Sequence, residues 1–361
     1  MQQQLNNDLK WHTLKKLSPP IDHISELPIS ESASKLVNKT RMEINDLLYG
    51  VDDRLLVVVG PCSIHDIKAA EEYARLLVSA RQKYAEDLLI VMRAYLEKPR
   101  TRVGWKGLIN DPNLDNSCDI DFGIRIARNL LLSLNNLGIP VAIEFISTIT
   151  LLYLIDLISW GTIGARTTES PLHREFVSGL TCPVGFKNNT AGNIITAINA
   201  ILSSRQPHHF VALTQLGYPA IVSTEGNVNC HIVLRGGKDP NYSAAHVLNA
   251  SSELAAAGLP QKLMIDFSHA NSQNDYYQQL KVGDNIAKQI AAGSNVVFGV
   301  MLESHLFEGR QNLQEKCTLN YGQSITDACI GWKDTEVLLG YLAEAVRKRR
   351  SFLKGSKQSN N

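Results

Sequence analysis

The chain has 361 residues, and its 36 basic and 35 acidic side chains leave a net charge of only +1, so neither nucleic acid nor an anionic membrane attracts it as a whole. The N-terminus lacks the apolar core of a secretory signal, and the aliphatic runs are far too short to span a bilayer. The six cysteines include no C-x-x-C pair, so we expect a cytoplasmic protein without a disulfide framework.

The first 52 residues are predicted to form an N-terminal extension. Residues 1–28 are polar and contain Pro19 and Pro20, which favours an extended arm. From Ser30 to Tyr49 apolar residues recur at helical spacing, and Gly50 is placed to end that helix.

Eight short apolar runs follow, separated mostly by segments of helical character. They are rich in β-branched residues and continuous rather than alternating, which is typical of buried parallel strands. The runs are residues 55–60, 88–93, 141–145, 162–166, 184–187, 231–235, 263–269 and 296–303. A further pair, residues 209–214 and 220–224, predicts a β-hairpin inserted before the sixth strand. Eight strands close a (β/α)8 (TIM) barrel, here residues 53–350, whereas nine or ten would favour an open sheet. Residues 351–361 are predicted to be a polar tail.

Polar or ionisable side chains lie at or just beyond the ends of these runs. In chain order they are Cys62, Arg93, Glu144, Arg166, Lys187, Arg235, His269 and Glu303. One charged strand end would most simply be solvated surface. Eight in order indicate a single pocket, because the carboxy-terminal ends of barrel strands converge at the catalytic mouth.

The pocket is predicted to be strongly cationic. Its basic members are Arg93, Arg166, Lys187 and Arg235, with Lys98 and Arg100 in the loop after the second strand. Arginine and lysine suit phosphate and carboxylate groups, so we expect a polyanionic ligand. The alternative is pairing with acids such as Glu97 or Glu169, which we expect for one or two of the cations only.

A second set of residues has the chemistry of a metal site. Cys62, His269, Glu303 and Asp327 offer thiolate, imidazole and two carboxylates, which suit one divalent ion of the Mn, Fe, Co or Zn type. A mixed shell with room for substrate is typical of catalysis rather than of structural zinc. The spacing alone is weak evidence, since a lone buried cysteine is more often structural.

Seven motifs around these residues carry a family resemblance. They are GPCSIH at 60–65, KPRT at 98–101, GARTTES at 164–170, PVGFKN at 183–188, LRGGK at 234–238, DFSHAN at 266–271 and SITDAC at 324–329. In this order, across nearly the whole chain, they resemble the type I 3-deoxy-D-arabino-heptulosonate 7-phosphate (DAHP) synthases of the enteric, aromatic-amino-acid-regulated kind.

The resemblance implies a reaction, a cofactor and partners. The reaction condenses phosphoenolpyruvate with erythrose 4-phosphate and releases phosphate, at the first step of the shikimate pathway to chorismate and the aromatic amino acids. The metal ligands would be Cys62, His269, Glu303 and Asp327, and the enzyme would be a homodimer or homotetramer. Phosphoenolpyruvate would be bound by Arg93, Lys98, Glu144, Arg166, Lys187 and Arg235, and erythrose 4-phosphate by Lys98, Arg100, Thr101 and Asp327. Cys62, His269 and Lys98 would be catalytic.

Two points about the site remain hypotheses. Lys98 is the best candidate for proton transfer, with Glu144 or a metal-activated water as alternatives. Residues 146–152 (ISTITLL) depart from relatives in a region that helps to form their inhibitory amino-acid pocket. We therefore expect weak or absent inhibition by Phe, Tyr and Trp.

Three other functions fit these residues less well. A related synthase for another phosphorylated sugar, such as a 3-deoxy-octulosonate 8-phosphate synthase, is disfavoured by KPRT at 98–101. A metal-dependent aldolase needs fewer cations. A catalytically inactive regulatory barrel would be expected to have lost metal or phosphate residues, and none is missing here.

Overall fold

Eight parallel strands form a closed barrel, in the order β1-β10-β9-β8-β5-β4-β3-β2. The computed structural model describes residue 10 and residues 13–100, 104–313 and 318–358. The strands are β1 (Leu55–Gly60), β2 (Leu88–Arg93), β3 (Val141–Glu144), β4 (Trp160–Ile163), β5 (Val184–Lys187), β6 (His209–Leu213), β7 (Pro219–Ser223), β8 (Cys230–Leu234), β9 (Leu263–Asp266) and β10 (Val297–Glu303). The predicted TIM barrel is confirmed. So is the inserted hairpin, since β6 and β7 pair only with each other.

Helices lie between most successive strands. They are α1 (Pro20–Glu26), α2 (Glu31–Tyr49), α3 (Ile67–Lys83), α4 (Ile120–Asn136), α5 (Pro171–Ser178), α6 (Ile195–Ser204), α7 (Ala244–Ala256), α8 (Gln278–Ala291) and α9 (Trp332–Gln358). Between β3 and β4 the chain instead forms two 3₁₀ turns, Thr150–Tyr153 and Ile155–Leu157. None of the helices in the described part of the chain is both long and apolar enough to cross a membrane.

Helix α2 closes the amino-terminal end of the barrel, which we call the base. Ser30 caps the helix by accepting a 3.1 Å hydrogen bond from the Ala33 amide, and Gly50 ends it in the left-handed conformation at φ +76°. Ile44, Leu47 and Leu48 of α2 form one buried cluster with inward-facing strand residues from Leu56 to Met301. Burying these side chains removes apolar surface from water, and the extension is thereby packed into the core.

A buried polar pair lies inside the barrel near the base. Trp160 Nε1 donates a 2.9 Å hydrogen bond to His231 Nε2, and His231 meets the Phe298 ring edge-on at 4.8 Å. Burial lowers the pKa of His231 to about 4. The imidazole is therefore neutral, and its Nε2 accepts the hydrogen bond from the indole N–H.

Four sequence expectations differ in detail from the structure. The seventh strand was expected at 263–269 but is Leu263–Asp266, and His269 begins a 3₁₀ turn beyond it. The fourth strand was expected at 162–166 but is Trp160–Ile163, so Arg166 lies in the turn beyond it. Glycine at 164 and the following polar residues favour that turn over a longer strand. Within the expected arm, residues 20–26 are helical, with Pro20 at the first turn where its missing N–H costs nothing. Residues 351–358 of the expected tail continue α9.

Candidate active site

A cavity of about 250 Å³ opens at the carboxy-terminal end of the barrel, the mouth. All six predicted cations line it: Arg93, Lys98, Arg100, Arg166, Lys187 and Arg235. Glu144, His269 and Asp327 line it as well. A neighbouring cavity of about 480 Å³ shares Arg166, Arg235, His269 and Asp327 and reaches Glu303. The structure therefore brings the predicted residues to one place, except Thr101, which lies outside the described residues.

Three of the four predicted metal ligands form one group. One ligand atom each from Cys62, Glu303 and Asp327 lies within 4.8 Å of the other two. His269 Nε2 faces the group at 4.0 Å from Glu303 Oε1, while its Nδ1 is 2.9 Å from Asp266 Oδ2. A carboxylate on the far ring nitrogen is how metal-binding histidines are commonly oriented. The donor set and its spacing fit a divalent ion of mixed ligand preference.

Cys62 is buried immediately after β1 and is surrounded by hydrogen-bond donors. Lys98 Nζ lies 3.1 Å from its sulfur, and the Asp327 amide donates to the same atom at 3.4 Å. Burial raises the pKa of the Cys62 thiol to about 11. Metal ligation requires the thiolate, so an ion at this site would displace the thiol proton.

Arg93 and Glu303 make a buried ion pair across β2 and β10. Arg93 Nη2 donates to Glu303 Oε1 at 2.8 Å, and the guanidinium lies 3.6 Å from the Tyr95 ring centre. Burial acts most strongly and lowers the pKa of Arg93, but the negative groups around it, with Glu303 the largest, together outweigh burial and raise the pKa. Arg93 Nε has no hydrogen-bond partner among the described residues, so one buried donor is left for a ligand.

Asp266 connects the cationic and metal-ligand sets. Its fully buried carboxylate accepts from Lys187 Nζ at 2.8 Å and from the Ser268 hydroxyl at 2.6 Å, besides holding His269. Burial alone would raise the pKa of Asp266, but Lys187 and His269 hold it well below its usual value. No role was predicted for Asp266, although a carboxylate inside the apolar run at 263–269 was a usable signal.

Lys98 and Arg100 are positioned by a loop that folds back on itself. The Lys98 amide donates to the Lys106 carbonyl at 2.9 Å, and Arg100 Nε donates to the Trp105 carbonyl at 2.8 Å. Gly107, at φ +109°, makes this possible, because a Cβ there would lie 2.4 Å from the Leu96 carbonyl oxygen. Burial lowers the pKa of Lys98, but the negative charges around it, with Cys62 the largest, outweigh burial and raise it.

Four of the six cations at the mouth form no ion pair with a carboxylate among the described residues: Lys98, Arg100, Arg166 and Arg235. The two cations that do pair with acids use Glu303 and Asp266, not Glu97 or Glu169. Glu97 instead accepts from Thr150, and Glu169 from Asn189. The free guanidinium groups face the cavity and give it the chemistry of an oxyanion site.

Glu144 needs a glycine on the neighbouring strand end. A Cβ at Gly164 would lie 2.2 Å from Glu144 Oε1, so any side chain there would displace the carboxylate. Gly164 begins the turn that carries Arg166. The GARTTES motif therefore positions Arg166 and leaves room for the Glu144 carboxylate beside it.

The segment at 146–152 contributes to a different, apolar cavity of about 240 Å³. Thr148, Ile149 and Leu152 line it, opposite Phe176 and Phe210. Among the described residues, no charged side chain lines this cavity. It offers no ion-pair partner for the ammonium and carboxylate groups of a free amino acid.

Comparisons with known proteins identify the family of this chain. Residues 26–340 match the DAHP synthetase I family. The chain is 55% identical to the Phe-sensitive phospho-2-dehydro-3-deoxyheptonate aldolase of Escherichia coli, over 96% of this chain and 99% of that protein. It is 50% identical to the Trp-sensitive aldolase of Enterobacter agglomerans, over 95% and 99% respectively. A solved structure of the Francisella tularensis aldolase superposes with a TM-score of 0.92 at 48% identity, covering 95% of this chain and 99% of that one. The chain described here belongs to the DAHP synthetase I family.

Proposed function

We propose that this chain condenses phosphoenolpyruvate with erythrose 4-phosphate and water to give DAHP and inorganic phosphate. Family membership supports the proposal, and one observation carries it: six cations line a cavity at the mouth of the barrel, and the group of Cys62, Glu303 and Asp327 lies beside it. Two phosphorylated substrates repel each other, so a site that joins them needs excess positive charge. A single phosphate would not require six cations.

The phosphoenolpyruvate site is assigned to the inner cations. Arg93, Lys187 and Arg235 end or directly follow strands, and Lys98 and Arg166 face them from loops. Bidentate arginines fix both the phosphate and the carboxylate, and Glu144 lies beside this set. Arg93, with its unsatisfied Nε, is best placed to receive one of these groups. Fixed geometry of this kind lowers the entropic part of the barrier.

The erythrose 4-phosphate site is assigned to the outer part of the cavity. Arg100 is exposed and lacks an acidic partner, so it is free to bind the sugar phosphate together with Thr101. Lys98 and Asp327 line the same cavity and would contact the aldehyde end. The aldehyde then lies between the two phosphate subsites, where the new carbon–carbon bond forms.

We assign the metal site to Cys62, His269, Glu303 and Asp327. An ion of the Mn, Fe, Co or Zn type would act there as a Lewis acid on the aldehyde oxygen. Asp266 orients His269, and Arg93 holds Glu303, so two of these ligands are fixed by buried partners. Partners of this kind preorganise a metal site.

Lys98 is assigned the proton transfer. When C3 of phosphoenolpyruvate attacks the aldehyde carbon, negative charge develops on the aldehyde oxygen, which takes up a proton. Lys98 Nζ lies 3.1 Å from Cys62 Sγ and lines the cavity, so its ammonium is within reach of an aldehyde oxygen held at the metal-ligand group. Glu144 is the alternative proton donor, on the same cavity.

A phosphate-release assay with both substrates, run with EDTA and after addition of excess Mn²⁺, tests the function. We expect release that depends on both substrates, stops with EDTA and returns with the metal. Release with arabinose 5-phosphate instead would favour the octulosonate type of synthase. No release under any metal would favour the inactive barrel.

Assembly and location complete the proposal. We propose a cytoplasmic homodimer or homotetramer. Light scattering of the purified chain at micromolar concentration checks the assembly, and a monomeric mass would contradict it.

A further inference from the structure

A second charged cavity, of about 560 Å³, lies at the base of the barrel, opposite the mouth. The chain leaving α2, the loops before β9 and β10, and the end of α9 form it together. Its basic lining residues are Arg54, Lys262, Arg349, Arg350 and Lys354, against the acids Asp52 and Asp53. The base cavity therefore has a local excess of positive charge in a protein that is almost neutral.

The acids of the base cavity are already bound by two of these arginines. Arg54 donates to Asp52 at 2.6 Å and to Glu43 at 3.1 Å. Arg350 binds Asp53 at 2.5 Å and Asp87 at 2.8 Å. These pairs place the carboxylates of Asp52 and Asp53 against Arg54 and Arg350 rather than against the other cations of the cavity.

Lys262 and Arg349 have no such partner. Lys262 Nζ donates to the Asn295 carbonyl at 2.5 Å, and Arg349 donates to the carbonyls of Asp53 and Ser294. Among the described residues, neither forms an ion pair with a carboxylate, although the Asp53 charge acts on Arg349 from a distance. Carbonyl oxygens satisfy the donors but do not neutralise the charges.

The two cations also act on each other. Burial lowers the pKa of Lys262, and the adjacent Arg349 charge lowers it further. Arg349 is only 5% exposed, and burial lowers its pKa as well. Two partly desolvated like charges that face one cavity are unfavourable unless an anion joins them.

We propose that the base cavity binds a small organic oxyanion, with its phosphate or carboxylate group between Lys262 and Arg349. Leu47 and Phe298 line the same cavity, so the ligand would place an apolar part against them. The inference is independent of the reaction at the mouth. A ligand here would also contact Phe298, whose ring packs on His231 inside the barrel.

The test compares thermal unfolding of the full chain in chloride with unfolding in inorganic phosphate, or in benzoate, at constant ionic strength. Arg166→Gln is present in every protein, so that anion binding at the mouth is weakened equally. Lys262→Gln is the informative variant, because glutamine can still donate to the Asn295 carbonyl and only the charge is lost. Lys288→Gln is the control, an exposed lysine on α8 that is paired with Asp284.

We expect phosphate, benzoate or both to raise the unfolding midpoint. For Lys262→Gln the anion concentration that gives half of this shift should rise about tenfold, as for loss of a charge-assisted hydrogen bond. It should not change for Lys288→Gln. In a chain that keeps Arg166, Lys262→Gln should leave the rate of phosphate release from the two substrates unchanged. The relative size of the phosphate and benzoate shifts identifies the head group. An absent shift with both anions, or the same shift with and without Lys262, overturns the proposal.

Discussion

The mouth and the base of the barrel both concentrate positive charge, but they hold it differently. At the mouth, Arg93 and Lys187 are fixed by buried carboxylates on other strands, and the free guanidinium groups surround the cavity. At the base, the acids lie on loops and helix ends, and Lys262 and Arg349 are held by carbonyl groups. The strand register thus gives the mouth a fixed geometry suited to catalysis, whereas the base is suited to binding alone.

The comparison predicts that changes at the mouth affect rate far more than stability, and Cys62→Ser should have the largest effect. Loss of a residue that merely orients a metal ligand already costs about 10- to 100-fold in affinity or activity, so loss of a proposed ligand should cost well over 100-fold. Phosphate release and metal content of the purified protein measure it. The control is Cys118→Ser, an exposed cysteine away from the site. Full activity with a bound equivalent of metal in Cys62→Ser would remove Cys62 from the ligand set.

Lys98→Met should have the next largest effect. If Lys98 transfers a proton, kcat should fall by about 100-fold or more. The unfolding midpoint should change much less than the rate, because burial and the surrounding negative groups act on the Lys98 ammonium in opposite directions. Steady-state kinetics with each substrate varied separate kcat from KM. A nearly unchanged kcat with a raised KM would leave Lys98 only a binding role and favour Glu144.

His231, near the base, should show the opposite behaviour. Its protonation should lower stability below pH 6.5, whereas His231→Gln should leave the rate at pH 7 unchanged. The pKa of His231 is about 4 when folded and near 6.5 when unfolded, so the unfolded state binds the proton more readily between these values. Stability is complete above pH 6.5 and falls by about 3 kcal/mol as the pH drops to 4. Urea unfolding of the wild type and of His231→Gln across this range measures it. An equally steep acid loss in the variant would assign the effect to other groups.

The smallest effect is expected at the apolar cavity beside residues 146–152, which no charged side chain among the described residues lines. Phe, Tyr or Trp at 100 μM should change the rate of phosphate release less than twofold, because no charged side chain among the described lining residues would hold the amino-acid backbone. Strong inhibition by any of the three at low micromolar concentration would contradict this.

The mouth could be predicted from sequence because most of its residues lie at or near a strand end, and the register of a closed barrel brings such ends together. Lys98, Arg100 and Asp327 lie in loops beyond the strands, and they were recognised from the KPRT and SITDAC motifs. The partners could not be predicted. Arg93 on β2 pairs with Glu303 on β10, and Lys187 on β5 pairs with Asp266 on β9, in each case across one intervening strand. These pairs therefore depend on the strand order of the closed barrel and on which way each side chain turns. The base cavity could not be predicted from the sequence, because Lys262 and Arg349 lie far apart in sequence on segments that carry no motif. The two 3₁₀ turns after β3 were also missed, since their apolar spacing differs little from that of a helix.

The packing of α2 against the barrel interior has a consequence for biosynthesis. Leu47 and Leu48 are among the first core residues to leave the ribosome, yet their buried cluster includes Phe298 and Met301 near the other end of the chain. The packing at the base of the barrel therefore cannot be completed until most of the polypeptide has been made. Contacts this distant in sequence slow folding and leave apolar surface exposed meanwhile. The nascent chain should depend on chaperones until β10 is released.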